Sequence, residues 1–117
     1  STEDVSIIKL SIPITYEDMA TLQNGHIPQE TEDHWFMYCD GEYIRYYRSW
    51  SGICAFVAHY HKDKECYIID ELTINHALAT FGVNGDEAGV WLFRYLITAE
   101  TGGDDAGAWI DCLYNKS

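Results

Sequence analysis

Residues 35–74 read WFMYCDGEYIRYYRSWSGICAFVAHYHKDKECYIIDELTI, and the way this stretch divides decides the fold. Four runs rich in aromatic and β-branched residues, Trp35 to Cys39, Glu42 to Trp50, Ile53 to His61 and Cys66 to Ile74, are separated by Asp40-Gly41, Ser51-Gly52 and Lys62-Asp63-Lys64-Glu65. Short turns rich in Gly or charge between such runs specify antiparallel hairpins, so the reading is a four-stranded antiparallel meander. Hairpin geometry predicts that Cys39 faces Glu42, Trp50 faces Ile53 and His61 faces Cys66. Side chains then fall on two faces. The first carries Trp35, Met37, Ile44, Tyr46, Arg48, Trp50, Ile53, Val57, His59, Ile68, Asp70, Leu72 and Ile74, and its aliphatic character places it under helices. The second carries Phe36, Tyr38, Tyr43, Arg45, Tyr47, Phe56, Tyr60, Tyr67, Ile69 and Glu71, whose phenolic oxygens need water or a partner.

The flanks complete an α+β domain. Val5 to Ile14 alternates, with Ile8, Leu10, Ile12 and Ile14 on one side and Pro13 marking an edge or strand end, which predicts an N-terminal strand. Thr15 followed by Asp18 suits a helix start, and Asn24-Gly25 a stop, so a short helix with Met19 and Leu22 inward is predicted between them. His26 to His34, polar and containing Pro28, reads as a loop. Asp86 and Glu87 open a second helix whose stripe is Val90, Leu92, Phe93, Leu96 and Ile97, ended by Gly102-Gly103. Asp104-Asp105 can cap a last short helix carrying Trp109, Cys112 and Leu113. The expected architecture is a single domain over 1–117 in which the meander and N-terminal strand pack against two or three helices on one face.

Composition narrows the function. The chain has 117 residues, 47% of them apolar, with 19 acidic and 7 basic side chains and a formal net charge of −12. A folded chain of this size buries roughly 65% of its unfolded surface, enough for one core without staples. A surface this negative repels phosphates at long range, so direct nucleic-acid binding is not expected. No apolar run is long enough to span a membrane, and none is expected to bind one. Cys39, Cys54, Cys66 and Cys112 form no CxxC or zinc-ribbon spacing and read as free core thiols, which points to a cytoplasmic protein.

Three constellations are candidates for function. Arg48, on the core side and one diagonal from Asp70, either forms an ion pair with it or lines a pocket with Trp50, His59, Ser49 and Asp70 that grips a small anion bidentately. Tyr38, Tyr43, Arg45, Tyr47 and Tyr60 form a stripe of residue types enriched in binding hot spots, either open to a protein partner or a second copy, or covered by another element. His59 and His61, with Cys66 and Glu42 beside them, carry zinc-ligand types, though a His-x-His beside a charged turn also reads as a solvated rim. There is no GxSxG, P-loop or HExxH, and the adjacent carboxylate pairs read as helix caps and solvated surface.

The run from Trp35-Phe36-Met37-Tyr38 through Gly41 to Arg48-Ser49-Trp50-Ser51-Gly52 resembles a small family of uncharacterised bacterial proteins with a WFxY…G…RSW[S/T]G pattern. Thr73-Ile74-Asn75 is similar to that family's Val-Asn strand end, while His76-Ala77-Leu78 stands in place of its Arg-Asp-Pro. The likeness covers at most residues 35 to 97; it implies a compact α+β domain and marks Arg48, Ser49, Trp50 and Gly52 as a unit. The expected function is a non-enzymatic binding protein without a cofactor. It uses the Arg48 pocket for a small, nucleotide-like anion or the Tyr-rich face for a basic protein, with homodimerisation open. Two alternatives come from other classes. One is an acidic inhibitor of the phage or plasmid type that mimics nucleic acid in a basic site of a defence enzyme. The other is a zinc-dependent enzyme at His59, His61 and Cys66.

Overall fold

A computed structural model of the chain describes residues 4–30 and 32–102. The elements are β1 (Val5–Ile14), α1 (Tyr16–Gln23), β2 (Trp35–Cys39), β3 (Tyr43–Arg48), β4 (Cys54–Lys62), β5 (Tyr67–Asn75), a 3-10 helix over His76–Phe81, and α2 (Asp86–Thr101). All five strands form one antiparallel sheet in the order β1-β5-β4-β3-β2, so the meander stands as read and the N-terminal strand closes its far side against β5. The fold is α+β. The expected helix after Asp104 lies outside the described residues.

Local chemistry accounts for the element ends. Thr15 Oγ1 accepts the Asp18 amide at 3.0 Å and caps α1, whose Met19 and Leu22 are buried. Gly25 then turns with φ +75°, where a Cβ would lie 3.0 Å from the Met37 carbonyl, because His26 exchanges two 2.8 Å backbone hydrogen bonds with Met37 of β2. Only glycine allows that approach. In the β2–β3 turn Asp40 Oδ1 accepts the amides of Glu42 (2.8 Å) and Tyr43 (2.7 Å), so the hairpin closes on Asp40 and Tyr43. Cys39 therefore pairs with Ile44, not Glu42 as expected, a two-residue shift that leaves each side chain on its face.

The next two ladders differ from the expected register in a way that matters. Tyr47 pairs with Cys54 but Tyr46 pairs with Phe56, which leaves Ala55 as a bulge residue. From there β4 is rotated by one: Phe56, Ala58 and Tyr60 point into the core, and Val57 and His59 point out. A second irregularity leaves Asp70 unpaired between Ile69, opposite Tyr60, and Glu71, opposite His59. This one buries Ile69 in place of Ile68 and returns Leu72 and Ile74 to the core, as expected. Opposite Asp70, β1 spends one further residue between Lys9 and Ile12.

The core lies on a single side of the sheet. Phe93 of α2 packs on Phe56 (ring centroids 5.7 Å apart) and against the edge of Tyr46 (6.1 Å). Gly89 brings α2 so close to β5 that a Cβ there would lie 2.9 Å from Ile74 Cδ1. Met37, Ile44, Leu72, Leu78 and Ile97 complete the same cluster, and α1 closes it beside β2 and α2. No described helix is long and apolar enough to cross a membrane.

Candidate functional site

The face of the sheet turned away from α1 and α2 carries two groups of side chains. The first is aromatic. Period-2 alternation places Phe36 and Tyr38 of β2 beside Tyr43, Arg45 and Tyr47 of β3. Tyr38 and Tyr47 lie parallel, 9° apart with centroids at 5.8 Å, and Phe36 tilts against both at 6.1 and 5.9 Å. The two hydroxyls meet at 3.4 Å, and hydrogen bonding to Tyr38 pushes the Tyr47 phenol up to about 12. The Arg45 guanidinium sits 4.8 Å over Tyr43 and 5.9 Å over Tyr38, anchored at 2.6 Å to Asp40 Oδ2. That hydrogen bond raises the Arg45 pKa. The amides of Glu42 and Tyr43, then Arg45, hold the Asp40 carboxyl below its ordinary range. A groove of about 350 Å³ runs between Pro28, Phe36, Tyr38 and Tyr47 and ends at Arg48, Ser49 and Gly52.

The second group is ionisable. His59 Nδ1 reaches Asp70 Oδ1 at 2.7 Å and His61 Nδ1 reaches Asp70 Oδ2 at 2.5 Å, while His59 Nε2 lies 3.3 Å from Glu42 Oε1. The bulge makes this possible: Asp70, freed from the ladder, swings its carboxylate between two imidazoles of the neighbouring strand. The hydrogen bond to Asp70, helped by Glu42, raises the His59 pKa. Partial burial pushes the Asp70 carboxyl up, but the two imidazoles outweigh it and hold it low. No hydrogen bond links Cys66 to either imidazole. Among the described residues no group of three or more His, Cys, Asp or Glu is arranged to hold a metal ion, so the expected zinc set of His59, His61, Cys66 and Glu42 is not assembled.

Of the residues expected around Arg48, Ser49 lines the groove with it, while His59 and Asp70 are parted from it. Its guanidinium is stacked on the core side, 5.0 Å from the Trp35 ring and 4.4 Å from that of Phe81, and no carboxylate among the described residues pairs with it. Asp70 and His59 sit on the opposite face, because the bulges at Ala55 and Asp70 turned them there. Trp50 is 73% exposed at the tip of the β3–β4 turn. Ser49 is tied to the preceding loop, its amide donating to His34 O (2.9 Å) and its hydroxyl to Asp33 O (3.0 Å). Tyr60, expected on the tyrosine stripe, is 3% exposed in the core, its hydroxyl donating to the Asp40 carbonyl and lying 3.4 Å from Cys39 Sγ. Cys39, Cys54 and Cys66 are free thiols of intermediate burial, whereas Cys112 lies outside the described residues. Burial pushes the Cys39 and Cys54 thiols up.

Two contributors were not singled out from the sequence. Pro28 joins the groove because the His26–Met37 bridge lays the loop along β2, a long-range contact without a local signal. His26 itself binds Asp33 (2.6 Å) and Glu100 (3.1 Å), linking that loop to α2. No protein-family model, curated protein or solved structure matches the chain.

Proposed function

We propose that this chain is a non-enzymatic binding module that engages a basic protein through the aromatic face of its sheet, with Tyr38, Tyr43, Arg45 and Tyr47 in contact. The observation that carries this reading is the Tyr38–Tyr47 stack with Phe36 beside it, on the face opposite both helices and with Tyr38 41% exposed. Aromatic and arginine side chains held rigid before binding lose little entropy on association, which is why such sets become hot spots. The net charge of −12 favours a partner of opposite sign. The small-anion reading loses support, since Arg48 is engaged by Trp35 and Phe81 and is parted from His59 and Asp70.

A photo-crosslinking residue at position 38, introduced in the native host, tests the reading. It should capture one dominant basic protein, and Tyr47→Ala should abolish the adduct. A crosslinker at Ile7, 63% exposed on the far edge strand, should capture none. The same adduct from position 7, or an acidic partner at 38, would overturn it. An acidic mimic of nucleic acid makes contact through carboxylates, so an adduct indifferent to Tyr47→Ala but lost on Asp40→Asn with Glu42→Gln would favour that alternative.

A further inference from the structure

We infer that Asp33, His26 and Glu100 form a proton-operated latch that ties the 26–34 loop, and with it the Pro28 wall of the groove, to α2. Its consequence for binding rests on the reading of the aromatic face as a protein-binding surface; the latch itself does not.

The geometry fixes the state of the ring. His26 Nε2 lies 2.6 Å from Asp33 Oδ2, and Nδ1 lies 3.1 Å from Glu100 Oε1. A carboxylate oxygen only accepts, and a neutral imidazole carries one N–H, so a ring with a carboxylate at each nitrogen is the imidazolium. The three side chains are 31, 26 and 23% exposed, and water screens such partly buried contacts only in part. Removing the proton turns one nitrogen lone pair toward a carboxylate oxygen and takes away the cation that two acids share. One of the two contacts must then part.

The surroundings leave His26 as the group that titrates. Strand β2 meets it through the Met37 backbone, in two 2.8 Å hydrogen bonds that do not depend on pH. On β3 the Tyr46 hydroxyl is buried without a hydrogen-bond partner, and burial together with the Glu100 charge keeps its phenol neutral. The acids of α1, Glu17 and Asp18, sit in its first turn, at the end away from His26, as do Asp86 and Glu87 on α2. Within the loop, Asp33 is the acid that bonds the ring.

Both ends of the loop are pinned without the latch. Met37 holds His26, and Ser49 holds the carbonyls of Asp33 (3.0 Å) and His34 (2.9 Å). Between them Ile27 is 67% exposed, so packing does little to fix this stretch, and Pro28 in the same stretch lines the groove. The stabilisation from the latch is present while the ring is protonated and is lost as pH rises through its titration. A fixed wall costs a partner less ordering entropy than a moving one, so the aromatic face binds more tightly on the acid side.

Nuclear magnetic resonance of the ¹⁵N-labelled full chain from pH 5 to 8.5 tests this. The His26 ring should carry hydrogen on both nitrogens at the acid end and on one at the other. Backbone order parameters at Ile27, Gln29 and Glu30 should fall from about 0.85 to below about 0.6 across the same titration. Glutamine can donate or accept and so bonds either form of the ring, which means that Glu100→Gln should keep these residues ordered at both ends of the range. One N–H throughout, two throughout, order parameters indifferent to the titration, or a Glu100→Gln chain that loosens like the wild type would overturn the latch. Crosslinking from position 38, in lysates adjusted to either side of the titration, should lose several-fold in yield on the alkaline side, and not in Glu100→Gln. An undiminished yield beside a loosened loop would overturn the tie to the groove. If the ring and loop behave as expected but position 38 captures nothing, the latch stands and the binding face falls.

Discussion

Asp70 receives two imidazoles on one carboxylate, and this gives the molecule a pH-sensitive contact on its outer face. Because the folded pKa of His59 is raised above 6.5, its bond to Asp70 stabilises the fold fully below pH 6.5. That contribution is lost as pH rises through the raised value. The lowered pKa of Asp70 acts in the other direction: its contribution is present above about 4 and disappears in acid as pH falls through the folded value. Asp70→Asn removes the charge and keeps the size. The melting temperature of the wild type should therefore exceed that of Asp70→Asn by more at pH 6 than at pH 8, and a gap that widens toward pH 8 would contradict the assignment. His59 and His61 were visible in the sequence as a same-face pair, since residues two apart on a strand share a side. Asp70 shares the expected pocket with His59, but a regular ladder keeps both beside Arg48, and only the bulges carry them to the other face.

Strand β4 is where local rules and the folded chain part company. The alternation Ile53 to His61 is apolar on both phases, with Phe56 and Tyr60 on one and Val57 on the other, so composition does not choose which faces inward. The unpaired Ala55 makes the choice, and Ala58 ends fully buried where a regular continuation from the turn would expose it. Ala58→Lys should therefore abolish cooperative unfolding. An unpaired buried charge costs several kcal/mol, against a total stability for such a domain of about 5–15 kcal/mol. Val57→Lys, on the outer face, should lower the unfolding free energy read from a urea melt by less than about 1 kcal/mol. The reverse ranking would mean that β4 runs without its bulge. By contrast, the alternation of β1, the Thr15 cap of α1 and the stripe of α2 were legible because each depends on neighbours within a few residues.

At the scale of the whole molecule, 19 acids against 7 bases leave most carboxylates without a cation to meet. Self-repulsion then opposes compaction, and salt relieves it. Thermal stability should rise between 10 and about 300 mM sodium chloride, as read by a circular-dichroism melt. A fall would mean that pairs such as Lys9–Glu71 at 2.5 Å and Arg45–Asp40 outweigh the net field. The same net charge attracts a basic protein, so a complex with one should tighten as salt is lowered.

Strand count, both described α-helices and an aromatic face containing Phe36, Tyr38, Tyr43, Arg45 and Tyr47 are legible in the chain alone. Alternation, caps and turn residues are local and survive two-residue shifts in pairing unchanged. It took long-range packing to make Tyr60 core, to sandwich Arg48 between Trp35 and Phe81, and to bring Asp70 to His59 and His61 on the face away from Arg48. Each of these depends on a single unpaired residue or on a ring from a distant element. A one-residue slip reverses a face, and what makes the slip favourable is the packing of Phe56 against Phe93, nearly forty residues along the chain.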